Sequence, residues 1–221
     1  LDKKKFIHSL LILSFTILLV SPYLIRNYVN TGSIHLVNVT GYALWKGNNQ
    51  LAKVEGFHNS LHPDNRKSWP KNSEFENLYK KLDSIKKDNQ YEINRDKVFK
   101  SEALSNIFSE KKKYFFLYLQ KILSYFFLDI NSSIKNYYNP AHIIPVLIFS
   151  VSSIPGAFIG LKKIKNSKII YLIFLACVLI GFISIFFILP RYKISIISLQ
   201  ILFSIFFFEY LYEKYTKRKS I

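Results

Sequence analysis

The chain has 221 residues, 50% of them hydrophobic, and carries a formal net charge of +17. Its apolar residues fall in blocks long enough to cross a bilayer, which excludes a soluble globular core. The lysines flank these blocks and form no aromatic-interleaved groove, which argues against nucleic acid as a partner.

Asp2 and Lys3–Lys5 lead into an apolar run from Phe6 to Ile25. About twenty residues suffice for a crossing helix. The run resembles a signal peptide at its start. No small-residue cleavage site follows it, so residues 1–25 are expected to be a retained span. The chain opens at Leu1 and contains no Met, so an upstream beginning is expected.

Ser21–Asn49 leaves this run with Pro22, Arg26, Asn27 and Tyr28. A second polar and aromatic knot follows at Tyr42, Leu44, Trp45, Gly47, Asn48 and Asn49. Arg, Tyr and Trp at the end of an apolar run suit a membrane–water interface. Between them, Thr31–Asn38 has a turn and then alternation, which predicts a short strand or hairpin. Asn38-Val39-Thr40 matches a glycosylation sequon, a pattern short enough to arise by coincidence.

Residues 48–90 are polar and carry Pro63 and Pro70. Glu74–Lys87 can form a short helix. His58 and His62, with Asp64 nearby, have no third ligand in view, and Pro63 disrupts their helical spacing, so no metal site is assigned. Asn94–Ser109 predicts a surface helix with Val98, Ala103, Leu104, Ile107 and Phe108 on one stripe. In Tyr114–Leu128, the polar residues Lys113, Gln120, Lys121 and Ser124 mark one side. That segment is expected to lie at the interface as an amphipathic helix.

Three further spans are expected: Ile143–Leu161, containing Pro145 and Pro155, then Ile169–Leu189, then Ile194–Leu211. Cys177 lies mid-span as a packing residue and forms no disulfide framework. Lys-rich clusters at Lys3–Lys5, Lys162–Lys168 and Lys214–Lys219 fall on one side only with four crossings. The expected architecture is therefore an all-α membrane protein. Residues 1–25 form one span, 26–142 an outer loop with an interfacial helix at 114–128, and 143–221 three spans and a basic cytoplasmic tail.

Pro190, Arg191, Tyr192 and Lys193 then form a short outer turn at the face that also holds Arg26. A charge at mid-bilayer costs about 2.5–3.5 kcal/mol, so these cations belong near the interface. Two cations at one depth suit a lipid phosphate; ordinary snorkelling to headgroups suits them equally.

The Ser21–Asn49 stretch resembles the Pro-Trp-x-x-Arg-Asn-Tyr segment and the Gly-Asn-Leu-Trp-x-Gly-Asn knot of polytopic C-type glycosyltransferases. These are the enzymes similar to dolichyl-phosphate-mannose protein mannosyltransferases and bacterial aminoarabinose transferases. Pro190–Lys193 resembles that family's Pro-Arg-Tyr-Arg. Glu92, Arg95 and Asp96, followed by an amphipathic helix with Lys121, resemble its outer loop. Tyr23 stands in place of Trp, Tyr42 and Ala43 in place of Gly and Asn, and Lys193 in place of Arg.

The resemblance implies a membrane glycosyltransferase, in its C-terminal part, taking a polyprenyl-phosphate sugar as donor. The acceptor would be a lipid, a glycan or a protein. Arg26 and Arg191 would hold the donor phosphate. Asn27, Tyr28, Trp45, Asn48, Asn49 and Tyr192 would form the substrate or acceptor loop. The family's catalytic carboxylate lies in an earlier loop that nothing here matches, so no catalytic residue is assigned. No cofactor is implied. Membrane lipids are further partners, and the localisation implied is a multi-pass protein of the bacterial inner membrane. The rival reading is a non-enzymatic scaffold whose outer loop binds a partner. A transporter is disfavoured because only His8 and Glu209, each near a helix end, are ionisable within the spans.

Overall fold

A computed structural model describes residues 3–37, 39–56, 73–163 and 167–219. The Asn38 sequon position and the His58, His62 and Asp64 group lie outside the described residues. Among the described residues the chain is all helical. In order, the helices are α1 (Lys3–Thr31), α2 (Thr40–Gly47), α3 (Ser73–Asp83), α4 (Tyr91–Ser109), α5 (Lys111–Phe126), α6 (Pro140–Lys163), α7 (Ser167–Ser184) and α8 (Ile194–Lys219). A 3-10 turn, Pro190–Lys193, leads into α8.

Three helical segments are long and apolar enough to cross a membrane: Phe6–Thr31, Pro140–Lys163 and Pro190–Thr216. Helix α7 is apolar but shorter. Among the described residues the expected strand at Thr31–Asn38 does not form. Residues 32–37 are bends and irregular chain, because the Asn27 side chain donates to the His35 carbonyl at 2.7 Å and closes this segment back on α1. That local bond competes with a strand ladder for the same backbone.

The chain divides into two compact units. The first holds residues 1–42 and 70–102. In it, α1 runs through Pro22 and past the expected boundary at Ile25 to Thr31. Its apolar side chains from Phe6 to Leu19 are exposed in the chain itself, as suits a helix surrounded by lipid. Asp96 accepts from the backbone N–H groups of Gly41 and Tyr42, both at 2.9 Å. The carboxylate thereby satisfies free donors in the first turn of α2 and meets the positive end of its dipole. Phe75, Leu78, Leu82 and Phe99 are buried in this unit, and Tyr42 meets Phe99 edge-on at 5.1 Å.

The second unit holds residues 43–69 and 103–221. Its framework is the pair α6 and α8. Asn139 accepts from the Ala141 N–H at 2.9 Å and Pro140 takes the first helical position, the usual pattern at an N-terminus. The helix continues through Pro145 and Pro155. Ser152, Gly156 and Gly160 recur every four residues, a small-residue face that lets two backbones approach. A Cβ built on Gly156 would sit 1.9 Å from the Phe203 carbonyl oxygen of α8. Ser152 donates to Ser204 at 2.7 Å, and Gln200 donates to the Phe126 carbonyl at 2.9 Å.

At the far end, Lys163 pairs with Glu209 at 3.1 Å and with Glu213 at 2.9 Å. The C-terminal ends of α6 and α8 therefore lie together and the two helices run parallel, with α7 returning the chain between them. Eighteen residues of helix span about 27 Å. Cys177 on α7 is exposed, so it is not the packing residue its mid-span position suggested.

Gly156→Ala is expected to lower the unfolding free energy by about 1–3 kcal/mol, because the added methyl must displace backbone. Thermal unfolding in detergent measures this. A transition unchanged from the native chain would show that α6 and α8 do not pack along this face.

Candidate functional site

In the second unit, α2 ends in Trp45, Lys46 and Gly47, followed by Asn48 and Asn49. The last carbonyls of a helix have no partner inside it. Here the two asparagines and a distant lysine supply partners. Asn48 Nδ2 donates to the Leu44 carbonyl and to the Ile185 carbonyl, both at 2.8 Å. Asn49 Nδ2 donates to the Trp45 carbonyl at 3.1 Å, while its Oδ1 accepts from the Leu51 N–H at 2.9 Å. Lys121 Nζ, from the middle of α5, donates to the Gly47 carbonyl at 2.7 Å and to Asn48 Oδ1 at 3.2 Å. A Cβ on Gly47 would stand 2.0 Å from the Phe186 carbonyl oxygen, so only glycine fits.

Lys121 is 1% exposed. Burial pushes its ammonium down to about 7, since no carboxylate offsets the loss of water. The polar stripe of α5 thus divides. Lys113 and Gln120 are exposed, while Lys121 and Ser124 face the unit's interior. Phe115, Phe116, Leu119 and Leu123 are exposed on α5 instead, an outward apolar face.

A second group of polar contacts joins residues 53–56 to the chain after α5. Glu55 is buried and accepts from Ser132 Oγ, and from the Ser133 N–H at 3.2 Å. Asp129 is also buried, and its Oδ1 accepts from the Asn131 N–H at 2.9 Å. Burial raises the Asp129 carboxyl above the usual range; the Asn131 N–H opposes this and the nearby Glu55 charge adds to it. Tyr137 Oη accepts from the Asp129 N–H at 2.8 Å, and Lys193 donates to the Phe127 carbonyl.

Between these groups lies a cleft of about 960 Å³. Val54, Leu117, Leu123, Phe127, Leu128 and Ile130 supply its apolar wall. Lys53, Gln120, Ser124, Asp129, Asn131, Ser132 and Tyr138 supply polar groups. This volume is ample for a small molecule or part of a lipid.

The residues singled out from sequence fall in both units. Arg26, Asn27 and Tyr28 lie on α1 in the first, with Arg26 and Tyr28 exposed. Trp45, Asn48, Asn49, Arg191 and Tyr192 lie in the second. Trp45, Asn48 and Asn49 are buried, and the two asparagine amides are committed to backbone caps. They shape the second unit's loops. Tyr192 is half-buried against Phe187 at 5.8 Å between ring centroids, and Arg191 is exposed beside it. Arg26 and Arg191 belong to different units, and their expected meeting remains a proposal.

Sequence reading missed the cleft-lining Lys53 and Asp129 and the buried Glu55. Glu55 in its polar loop carries no sign of burial, because Ser132 and Ser133 arrive from 77 and 78 residues away. Among the described residues no group of three His, Cys, Asp or Glu side chains could hold a metal ion.

Fold and site define this chain as an all-helical protein with three candidate membrane-spanning segments and a cleft in its second unit. Comparison with protein-family models, with curated proteins and with solved structures finds no match.

The Lys121 pKa sets the sign of a stability effect. An unfolded chain binds this proton up to about pH 10.4, whereas the folded chain loses it near 7. Between these values the unfolded state holds more protons, so the lysine's contribution to stability rises with pH, at most about 1.4 kcal/mol per unit. Relative to Lys121→Met, the native chain should gain unfolding temperature from pH 7 to 9. Parallel pH profiles for the two proteins would contradict a buried, desolvated ammonium.

Proposed function

We propose that this chain is a portion of a membrane glycosyltransferase that takes a polyprenyl-phosphate sugar as donor and a lipid, glycan or protein as acceptor. The observation that carries this reading is the cleft of about 960 Å³, with an apolar wall continuous with α5 and a polar edge at Lys53, Asp129 and Asn131. A prenyl chain would lie along Leu117, Leu123 and Phe127 and the sugar would meet the polar edge. Arg26 and Arg191 would stabilise the phosphate as the glycosidic bond breaks. The carboxylate that activates the acceptor hydroxyl is not assigned to any residue of this chain.

The accompanying topology has four crossings, with α1, α6, α7 and α8 spanning a bacterial inner membrane and both described ends on the cytoplasmic side. Parallel α6 and α8 support it, since a parallel pair in succession needs an intervening crossing. The basic ends near Lys162, Lys163 and Lys214 support it through the positive-inside rule. Helix α5 lies at the outer interface with its exposed phenylalanines toward lipid.

One observation favours the non-enzymatic scaffold instead. Trp45, Asn48 and Asn49 are buried and internally satisfied, which suits a loop that holds shape more than one that closes on a sugar.

A photoactivatable prenyl-phosphate sugar, incubated with the chain in membranes, should label residues between Leu117 and Ser132. Labelling confined to α1, or absent, would favour the scaffold. Reporter fusions at Asn131 and Ser167 should read outside and inside respectively. Both on one side would break the four-span topology.

A further inference from the structure

We propose that Lys46 and Arg191 together form an anion site that takes the phosphate group of a lipid at the membrane surface. Both residues belong to the second unit. Lys46 Nζ lies 4.7 Å from the centre of the Phe187 ring. Arg191 Cζ lies 5.6 Å from the centre of the Tyr192 ring. The two rings are 5.8 Å apart, with their planes tilted by 54°. The two cations are therefore mounted on one aromatic pair, and cation–π attraction holds each toward its ring.

Lys46 is more than a loose surface tether. It is half-buried, and Gly56, at φ 78°, brings backbone so close that an added Cβ would stand 3.2 Å from Lys46 Cγ and 3.1 Å from Phe187 Cβ. The lysine stem and the ring it covers are thus packed in place. Among the described residues neither Lys46 nor Arg191 has an acidic partner. The Lys46 ammonium lies below its ordinary value, first through burial and then through the positive charge of Arg191. Each cation therefore raises the cost of the other, and a bound anion relieves both.

The chemistry of the anion follows from the pair. A guanidinium presents a planar fork that fits two phosphate oxygens, and an ammonium adds a compact point charge. Its source follows from position. Arg191 sits in the first turn of Pro190–Thr216, a segment apolar and long enough to cross a bilayer. That places it where headgroup phosphates lie. Sequence reading gave Arg191 a cationic partner in Arg26; within the second unit that partner is Lys46. The proposal rests on reading this face as a lipid-phosphate site, and it adds a residue to that site.

The test uses the full chain in phosphatidylcholine nanodiscs, with calorimetric titration of a ten-carbon prenyl phosphate and, separately, inorganic phosphate. Lys46→Gln and Arg191→Gln should each weaken prenyl-phosphate binding by roughly tenfold, as loss of one charge-assisted bond does. Lys46→Arg should keep most of the affinity. Without ligand, Lys46→Gln should unfold no earlier than the native chain, because it removes a repulsion. Inorganic phosphate should bind more weakly than the prenyl phosphate. Native affinity in both glutamine variants would reduce the two residues to headgroup anchors and overturn the site. Equal affinity for the two ligands would overturn its assignment to a lipid. If the photoactivatable donor still labels the cleft while both glutamine variants bind normally, this site fails and the cleft reading stands.

Discussion

The second unit depends on one buried ammonium. Lys121 reaches from α5 to the Gly47 carbonyl and Asn48 Oδ1, and so joins the end of α2 to the helix that walls the cleft. The bond meets the negative end of the α2 dipole, where a cation is favoured. It also carries a cost, because the ammonium is out of water with no carboxylate beside it. Removing the lysine would leave a buried carbonyl and a buried amide oxygen short of a donor, which is why the contact cannot be read as an optional extra.

Around that clasp, backbone groups are satisfied by partners from far along the chain. The Ile185 carbonyl is met by Asn48, and the Ile188 N–H donates to the Val54 carbonyl at 2.8 Å. These bonds hold the short segment between α7 and the Pro190 turn against residues 47–56. The same approach stacks Lys46 on Phe187 and places Arg191 beside Tyr192. The position of the cations is thus a consequence of how the α2 end is capped.

The α6–α8 pair is stabilised differently. In a lipid surrounding, apolar side chains gain little by leaving lipid for protein, so close packing and interhelical hydrogen bonds decide association. Gly156 supplies the close approach, the Ser152–Ser204 bond and the Gln200 bond to Ser150 join the two helices, and Gln200 also ties α8 to the Phe126 carbonyl of α5. The ion pairs from Lys163 to Glu209 and Glu213 are exposed and contribute little to stability, although they show which ends lie together.

Sequence alone determined the helical class and the apolar segments, because block length and the absence of charge are properties of consecutive residues. It also located the polar knots at Arg26–Tyr28, Trp45–Asn49 and Arg191–Tyr192. It did not reveal that Asn48 and Asn49 turn inward, that residues 32–37 fold back on α1, or that α5 presents phenylalanines outward and buries Lys121. The burial of Asn48 and of Lys121 rests on partners in distant parts of the chain, the Ile185 carbonyl for Asn48 and the Gly47 carbonyl for Lys121. A local pattern records a side chain's chemistry but not which unpaired backbone group it will meet, and only the tertiary structure decided that.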